Sequence, residues 1–257
     1  MAANQNLISF FLAETGKVVR FSGRFFVEIL KPGFELKELF RQCYYIGYKS
    51  LPLVCITGFI MGLVITIQSR PTLVEFGAES WLPKMVSVSL IREIVPVITA
   101  LICAGKIGSG IGAELGSMKV TEQIDAMEVS GTNPYQYLVV TRVLATTFMI
   151  PLLVVISDSV SLYGSYLGSN LHGVVSNKLF WNQVFDTVVF SDLVPSIVKT
   201  FFFGFAIGII GCYKGYYSNK GTEGVGQSAN SAVVISSLIV FILDLIAVQI
   251  TDLLQLN

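Results

Sequence analysis

GKIGSGIGAELGSMKVTEQIDAMEVSGTNPYQYLVVTRVLATTFMIP, residues Gly105–Pro151, sets a short charged segment between two long apolar runs. It carries seven charges: Lys106, Glu114, Lys119, Glu122, Asp125, Glu128 and Arg142. The polar part is too short to be a domain, and its spacing predicts a helix. Glu122, Asp125, Ala126 and Val129 fall at i, i+3, i+4 and i+7 and so share one face, with Glu128 beside it. A short polar helix tied at both ends to apolar spans is placed to dock on a soluble partner and carry force into a membrane.

Composition bounds the class. Hydrophobic residues make up 53% of 257 and charged residues 13%, with a mean hydropathy of +0.70. A soluble chain would carry roughly 25% charged residues, so an integral membrane protein is expected. The formal net charge is zero and gives no sign of a nucleic-acid partner. Cys43, Cys55, Cys103 and Cys212 are far apart, without a CxxC, and each sits in or beside an apolar run, so neither disulfides nor a metal site is expected. No cleavable leader is expected either, because no small-residue cleavage site follows an apolar core.

Charge-free runs of about 20 residues are long enough to cross a bilayer core. Ser50–Ser69, between Lys49 and Arg70, is one. Gly224–Leu243 is another, continuing past Asp244 to Thr251. Three further spans must carry charges inside: Trp81–Gly112 holds Arg92 and Glu93, Leu138–Gly168 holds Asp158, and Leu193–Tyr213 holds Lys199. The expectation is an all-α integral membrane protein forming one domain over 1–257. It would have five transmembrane helices at about 50–69, 81–112, 138–168, 193–213 and 228–252. An N-terminal amphipathic interfacial helix within 1–49 and a cytoplasmic coupling helix complete it.

Orientation follows from Lys and Arg. Seven fall in the N-terminal region (Lys17, Arg20, Arg24, Lys31, Lys37, Arg41, Lys49). Three lie in the second-to-third connection (Lys106, Lys119, Arg142) and two in the fourth-to-fifth (Lys214, Lys220). Those twelve share one side; Arg70, Lys84 and Lys178 are on the other, and Arg92 and Lys199 lie within spans. The N-terminus is therefore expected in the cytoplasm, and five crossings put Gln255–Asn257 outside. The charged 113–137 segment then faces the cytoplasm.

Near the N-terminus, Glu14, Lys17, Arg20, Arg24, Glu28 and Lys31 form one polar stripe. Phe11, Val18, Val19, Phe25, Phe26 and Ile29 cover the other faces. This pattern predicts a helix lying in the membrane interface, as a simple anchor or as part of a lateral gate. Glycines recur at four-residue spacing (Gly58/Gly62, Gly108/Gly112/Gly116, Gly164/Gly168, Gly204/Gly208), which suits close helix approach. Pro52, Pro96, Pro151 and Pro195 are expected to kink or break their spans.

The run AELGSMKVTEQIDAMEVSGTNPYQYLVVTRVLATTFMIPLL, Ala113–Leu153, resembles the MlaE/YrbE-type permease family, the membrane subunits of lipid-transporting ABC systems. SLIREIVPVITALICAGKIGSG, Ser89–Gly110, is similar to the family's preceding span, and SSLIVFILDLI, Ser236–Ile246, to its last span with a buried Asp. The match covers nearly the whole chain and is weakest over the first 40 residues. Lys106 stands where Arg is common, which keeps the charge and loses bidentate geometry.

The resemblance implies a homodimer that moves phospholipid between inner and outer membranes of a bacterium. It implies a cytoplasmic ATPase subunit, a periplasmic MCE-domain protein and, in several systems, a STAS-domain protein that binds the ATPase. By the same resemblance Glu122, Gln123, Asp125, Met127 and Glu128 belong to a coupling helix seated in a groove of the ATPase. Met127 or Val129 would fill an apolar notch there. ATP and Mg2+ would belong to that partner, and no cofactor is expected on this chain. The residues agree independently, because no GxxxxGK[ST] loop occurs. At the nearest candidate, Gly105–Lys106, Ala100 replaces the first Gly and Ile107 the Ser/Thr.

Enzyme readings find little support. His172, the sole histidine, lies in an external loop without a carboxylate or cysteine beside it, no GxSxG occurs, and Asp186 and Asp192 read as solvated loop charges. An ion-coupled secondary transporter would explain intramembrane charges, yet no internal repeat is found. A structural scaffold would explain the glycines and leave the charges unexplained.

Counted from the outer ends at about 1.5 Å per residue, Glu93, Asp158, Lys199 and Asp244 all lie roughly 9–15 Å deep. A shared polar layer is therefore expected. Glu93 and Asp244 would share Lys199, and Arg92 would lie near Asp158 or face the headgroups. A lipid route is expected at a dimer interface lined by the first, second and fifth spans, with Leu63, Ile67, Val97, Leu101, Leu238 and Phe241 as candidates.

Overall fold

The computed structural model describes residues 2–31, 35–171, 176–219 and 221–254, with side chains from residue 13 onward. The Phe11 side chain, His172, Lys220 and Gln255–Asn257 lie outside the described residues. Five helical spans are long and apolar enough to cross a membrane: Leu36–Glu75, Glu79–Val120, Tyr135–Asn170, Phe190–Tyr216 and Thr222–Leu253. No strand occurs among the described residues. The helices are α1 (Ala2–Glu28), α2 (Leu36–Glu75, the first span), then α3 (Leu82–Ser89), α4 (Val95–Cys103) and α5 (Ser109–Val120), which make up the second span. After these come α6 (Gln123–Val129), α7 (Thr141–Asn170), the short helix α8 (Asn177–Thr187), α9 (Phe190–Tyr216) and α10 (Thr222–Leu253).

The spans pack in the order α2 on α7, α7 on α9 and α9 on α10. The second span crosses this row: α3 and α4 meet α2 and α7, while α5 meets α9 and α10. The first span starts earlier than its charge-free run. Residues 36–49, expected in an interfacial region, continue into the membrane as the same helix, because nothing between Leu36 and Lys49 breaks it.

The paired glycines have a direct use. A Cβ on Gly58 would meet the Ser157 hydroxyl at 2.5 Å, and one on Gly62 or Gly164 would collide with the Ser161 or Phe59 backbone. Gly58/Gly62 of α2 and Gly164/Gly168 of α7 thus face each other across one seam. Gly204 and Gly208 of α9 press against Thr146 of α7 in the same manner. Thr66 donates to the Ser165 hydroxyl inside the α2–α7 seam at 2.8 Å, whereas the buried Ser157 hydroxyl of the same seam has no hydrogen-bond partner.

The prolines do not break their spans: α2, α7 and α9 continue through Pro52, Pro151 and Pro195. Pro96 is accommodated differently. It follows a π-helical turn, Leu90–Ile94, and a second π turn, Ala104–Gly108, closes the other end of α4. A π turn pairs residue i with i+5, so after Val95 N–H bonds Leu90 C=O the next bond would need an N–H on Pro96. Proline has none, and the buried Ser196 hydroxyl donates to the free Ile91 carbonyl at 2.7 Å.

Candidate functional site: an intramembrane ion cluster and a polar docking helix

Three spans deliver one ion cluster. The first π turn turns Glu93 toward α9, where the Lys199 ammonium donates to Glu93 Oε2 at 2.6 Å and to Asp244 Oδ1 of α10 at 2.8 Å. Lys199 is 6% exposed at its side chain, Asp244 19% and Glu93 44%. A buried ammonium in an apolar bundle is costly alone, and two carboxylates that bond it directly offset that cost.

Arg92 and Asp158 fall elsewhere. Arg92 pairs with Asp192 at 3.6 Å, not with Asp158. Asp192 is no solvated loop charge, since its other oxygen accepts the Val189 N–H at 3.2 Å and caps the start of α9. A three-residue shift from the expected span start, Leu193 to Phe190, explains the misreading. Asp158 is 8% exposed, within electrostatic reach of Lys199, and its Oδ1 has no hydrogen-bond partner. It lies beside the cluster without joining it. Asp186 is exposed, as read from the sequence.

Two adjoining cavities flank the cluster. One, about 190 Å³, is polar and reaches Arg92, Glu93, Asp192 and Lys199. The other, about 380 Å³, runs between α9 and α10 along Val198, Phe202, Leu243, Ile246 and Ile250. They share Pro195, Lys199, Ala247 and Thr251. The six residues expected along a lipid route are not brought together within the chain. Leu63 and Ile67 lie on α2, Leu238 and Phe241 on α10, and these helices pack on opposite ends of the row. Val97 and Leu101 are half-buried on α4 between them.

At the other end of the bundle, α6 is seven residues long and shorter than its pattern suggested. Glu122 precedes it in a left-handed conformation, φ 59°, so it leaves the face expected from i, i+3 spacing. Ile124 is fully buried and Met127 is half-buried against the core. Gln123, Asp125, Glu128 and Val129 face out, Val129 at 89% exposure. Asp125 is paired within the chain, with Lys119 at 2.7 Å. The helix ends on Gly131, φ 80°, as Gly131 N–H bonds Glu128 C=O and Thr132 N–H bonds Met127 C=O.

Sequence spacing did not reveal how α1 is tied to this end. Glu28, read as part of a solvent stripe, is buried. It accepts Lys31 at 2.8 Å and Asn133 Nδ2 at 2.8 Å. Asn133 Oδ1 in turn accepts the N–H groups of Tyr135 and Gln136, starting the third span. The Tyr135 hydroxyl donates to Phe21 C=O at 2.5 Å, and Arg24 lies 4.5 Å over the Tyr135 ring. Glu14 bonds the Tyr213 hydroxyl and Lys214 at 3.1 and 3.2 Å. A signal existed: a carboxylate at the end of an amphipathic helix, with Asn-Pro-Tyr downstream, but nothing in spacing linked them across 105 residues.

A five-span helical bundle with an ion cluster in one half and a charged helix at one polar end defines a multi-pass membrane protein. Comparison narrows that class. The family model for permease MlaE matches residues 39–250. A probable ABC transporter permease protein of Rickettsia typhi is 41% identical over 214 residues, 83% of each chain. One from Synechocystis is 36% identical over 221 residues, 86% of this chain and 84% of that one. The intermembrane phospholipid transport system permease protein MlaE of Haemophilus influenzae is 34% identical over 214 residues, 82% of each. The chain is an ABC transporter permease, and it belongs to the MlaE permease family.

Proposed function

We propose that the chain moves phospholipid between inner and outer membranes, as one half of a homodimer in the bacterial inner membrane. ATP is hydrolysed by a separate cytoplasmic subunit, and a periplasmic MCE-domain protein accepts or delivers the lipid; a STAS-domain protein on the ATPase is a further expected partner. The N-terminus is cytoplasmic and the C-terminus periplasmic, which rests on the twelve-to-three distribution of Lys and Arg. The observation that carries the substrate reading is the pair of adjoining cavities at Lys199. A phospholipid has a polar headgroup and long acyl chains, and here a polar cavity adjoins an apolar groove. The first and fifth spans are the least covered by the rest of the chain, which supports a second copy completing the bundle.

Coupling runs through α6. Glu122, Gln123, Asp125 and Glu128 offer an acidic surface, and Val129 an apolar point, for a groove on the ATPase. Reversing Glu122 and Asp125 to Lys should uncouple or release the ATPase while the chain stays in the membrane. Unchanged lipid-dependent ATPase activity in that double variant removes α6 from coupling. Lipid transfer that persists when only the partner's ATPase is inactivated would instead favour an ion-coupled transporter.

A further inference from the structure

A crevice between α2 and the second span lies far from the ion cluster, at the end of the bundle that carries α1 and α6. Its volume is about 290 Å³, and its walls include Ile46 and Ile107, both buried. Lys49 and Lys106 line it. The Lys106 ammonium donates to the backbone carbonyl of Lys49, and the Lys49 ammonium sits 3.9 Å over the Tyr45 ring. Both cationic side chains are exposed where they line the crevice, and neither contact brings a carboxylate to them.

The carboxylates nearby are taken. Glu114, which also lines the crevice, bonds Arg142 at 2.8 Å, and that arginine is buried, so this pair closes on itself. Arg41, at the crevice mouth, faces Glu38 at 3.4 Å. Among the described residues neither Lys49 nor Lys106 has a carboxylate within ion-pair distance. Like charges gathered beside apolar walls favour an anion. Lys49 is the last charge before the apolar run of the first span, so the crevice sits at headgroup depth. Its volume suits a phosphate with its glycerol and is too small for two acyl chains, which would stay in the bilayer.

We propose that this crevice binds the headgroup of an anionic glycerophospholipid, with its phosphate between Lys49 and Lys106. The site is separate from the cavities at Lys199. Lipid held here is a fixed companion of the contact between α2 and the second span, with transported lipid passing elsewhere. Binding is read without nucleotide or partner subunits, so it stands or falls apart from the transport reading.

Native mass spectrometry of the delipidated full-length chain in detergent tests it. The probes are dioleoyl phosphatidylglycerol, dioleoyl phosphatidylcholine and inorganic phosphate. One phosphatidylglycerol should be retained per chain in preference to phosphatidylcholine. The double variant Lys49→Gln/Lys106→Gln should weaken that binding about thirtyfold, from roughly 1 kcal/mol per lysine. Lys49→Arg/Lys106→Arg should retain it. Should the double glutamine variant not fold, each single glutamine variant should lose about fivefold. Equal retention of the two lipids overturns the proposal, as does unaltered phosphatidylglycerol binding in the glutamine variants. Displacement of phosphatidylglycerol by millimolar inorganic phosphate would make this a free-anion site and overturn the lipid assignment.

Discussion

Lys199, Glu93 and Asp244 come from three different spans and meet at 2.6 and 2.8 Å. Glu122, Asp125 and Glu128 lie within seven residues of one another, and the one ion pair among them is that of Asp125 with Lys119. The surroundings make the difference. In an apolar bundle a charge must find an opposite charge, whatever the sequence separation, because the alternative costs several kcal/mol. At the polar end water serves as partner, so charges point outward and are set by where the apolar residues of the same helix must go. Ile124 and Met127 determine which way α6 turns, and the acidic residues take what remains.

Removing the central cation gives the largest effect. Lys199→Met should lower stability in detergent by about 2–3 kcal/mol, less than a fully buried pair because Glu93 is partly exposed. Adding Glu93→Gln and Asp244→Asn should restore most of it. A thermal melt in which all three variants behave alike would show that the carboxylates do not depend on Lys199, and the contrast with α6 would collapse.

Glu28 sharpens the comparison, being a carboxylate at the polar end that is nevertheless buried. Its hydrogen bond from Lys31, then that from Asn133, hold its pKa below the ordinary 4.5 despite burial. A depressed folded-state pKa means that its contribution is present above 4.5 and is lost as pH falls through the lower folded value. Glu28→Gln should cost about 1.5–2 kcal/mol, the worth of hydrogen bonds to a charged group. It should also flatten the acid limb of α1 release, read by hydrogen exchange. An unchanged acid limb would mean that burial at this end does not act as it does at Lys199.

The smallest effect concerns Glu122. Its left-handed backbone costs a non-glycine residue about 1–2 kcal/mol, so Glu122→Gly should stabilise the chain by about 1 kcal/mol. ATPase affinity separates the two roles of this position. If Glu122→Gly binds the ATPase like Glu122→Lys, the charge matters; if it binds like the unaltered chain, the backbone turn does.

The five spans were readable because each needs about 20 apolar residues, and four buried charges at one depth left few ways to pair. Lys199 with Glu93 and Asp244 followed from that alone. Arg92 did not, because its partner Asp192 lay just beyond the expected span start. The face of α6 was misread because spacing assumes that a helix already includes its first residue, while Glu122 stands outside it. The docking of α1 was hidden for another reason: Glu28 meets Asn133 across a long stretch of chain, and no local pattern encodes that encounter. The opposed glycines of α2 and α7 were visible singly, but their facing one another depended on which spans become neighbours.

The two π turns bracketing α4 give the second span one surplus residue at each end of a nine-residue cylinder. A helical wheel drawn through the whole span therefore slips by about 100° at each turn, and faces assigned beyond Ile94 from sequence alone are rotated away from their true neighbours. Mechanically the same surplus acts as slack in a crank. Tightening one turn while the other widens would roll α4 about its own axis, with α3 and α5 left where they are.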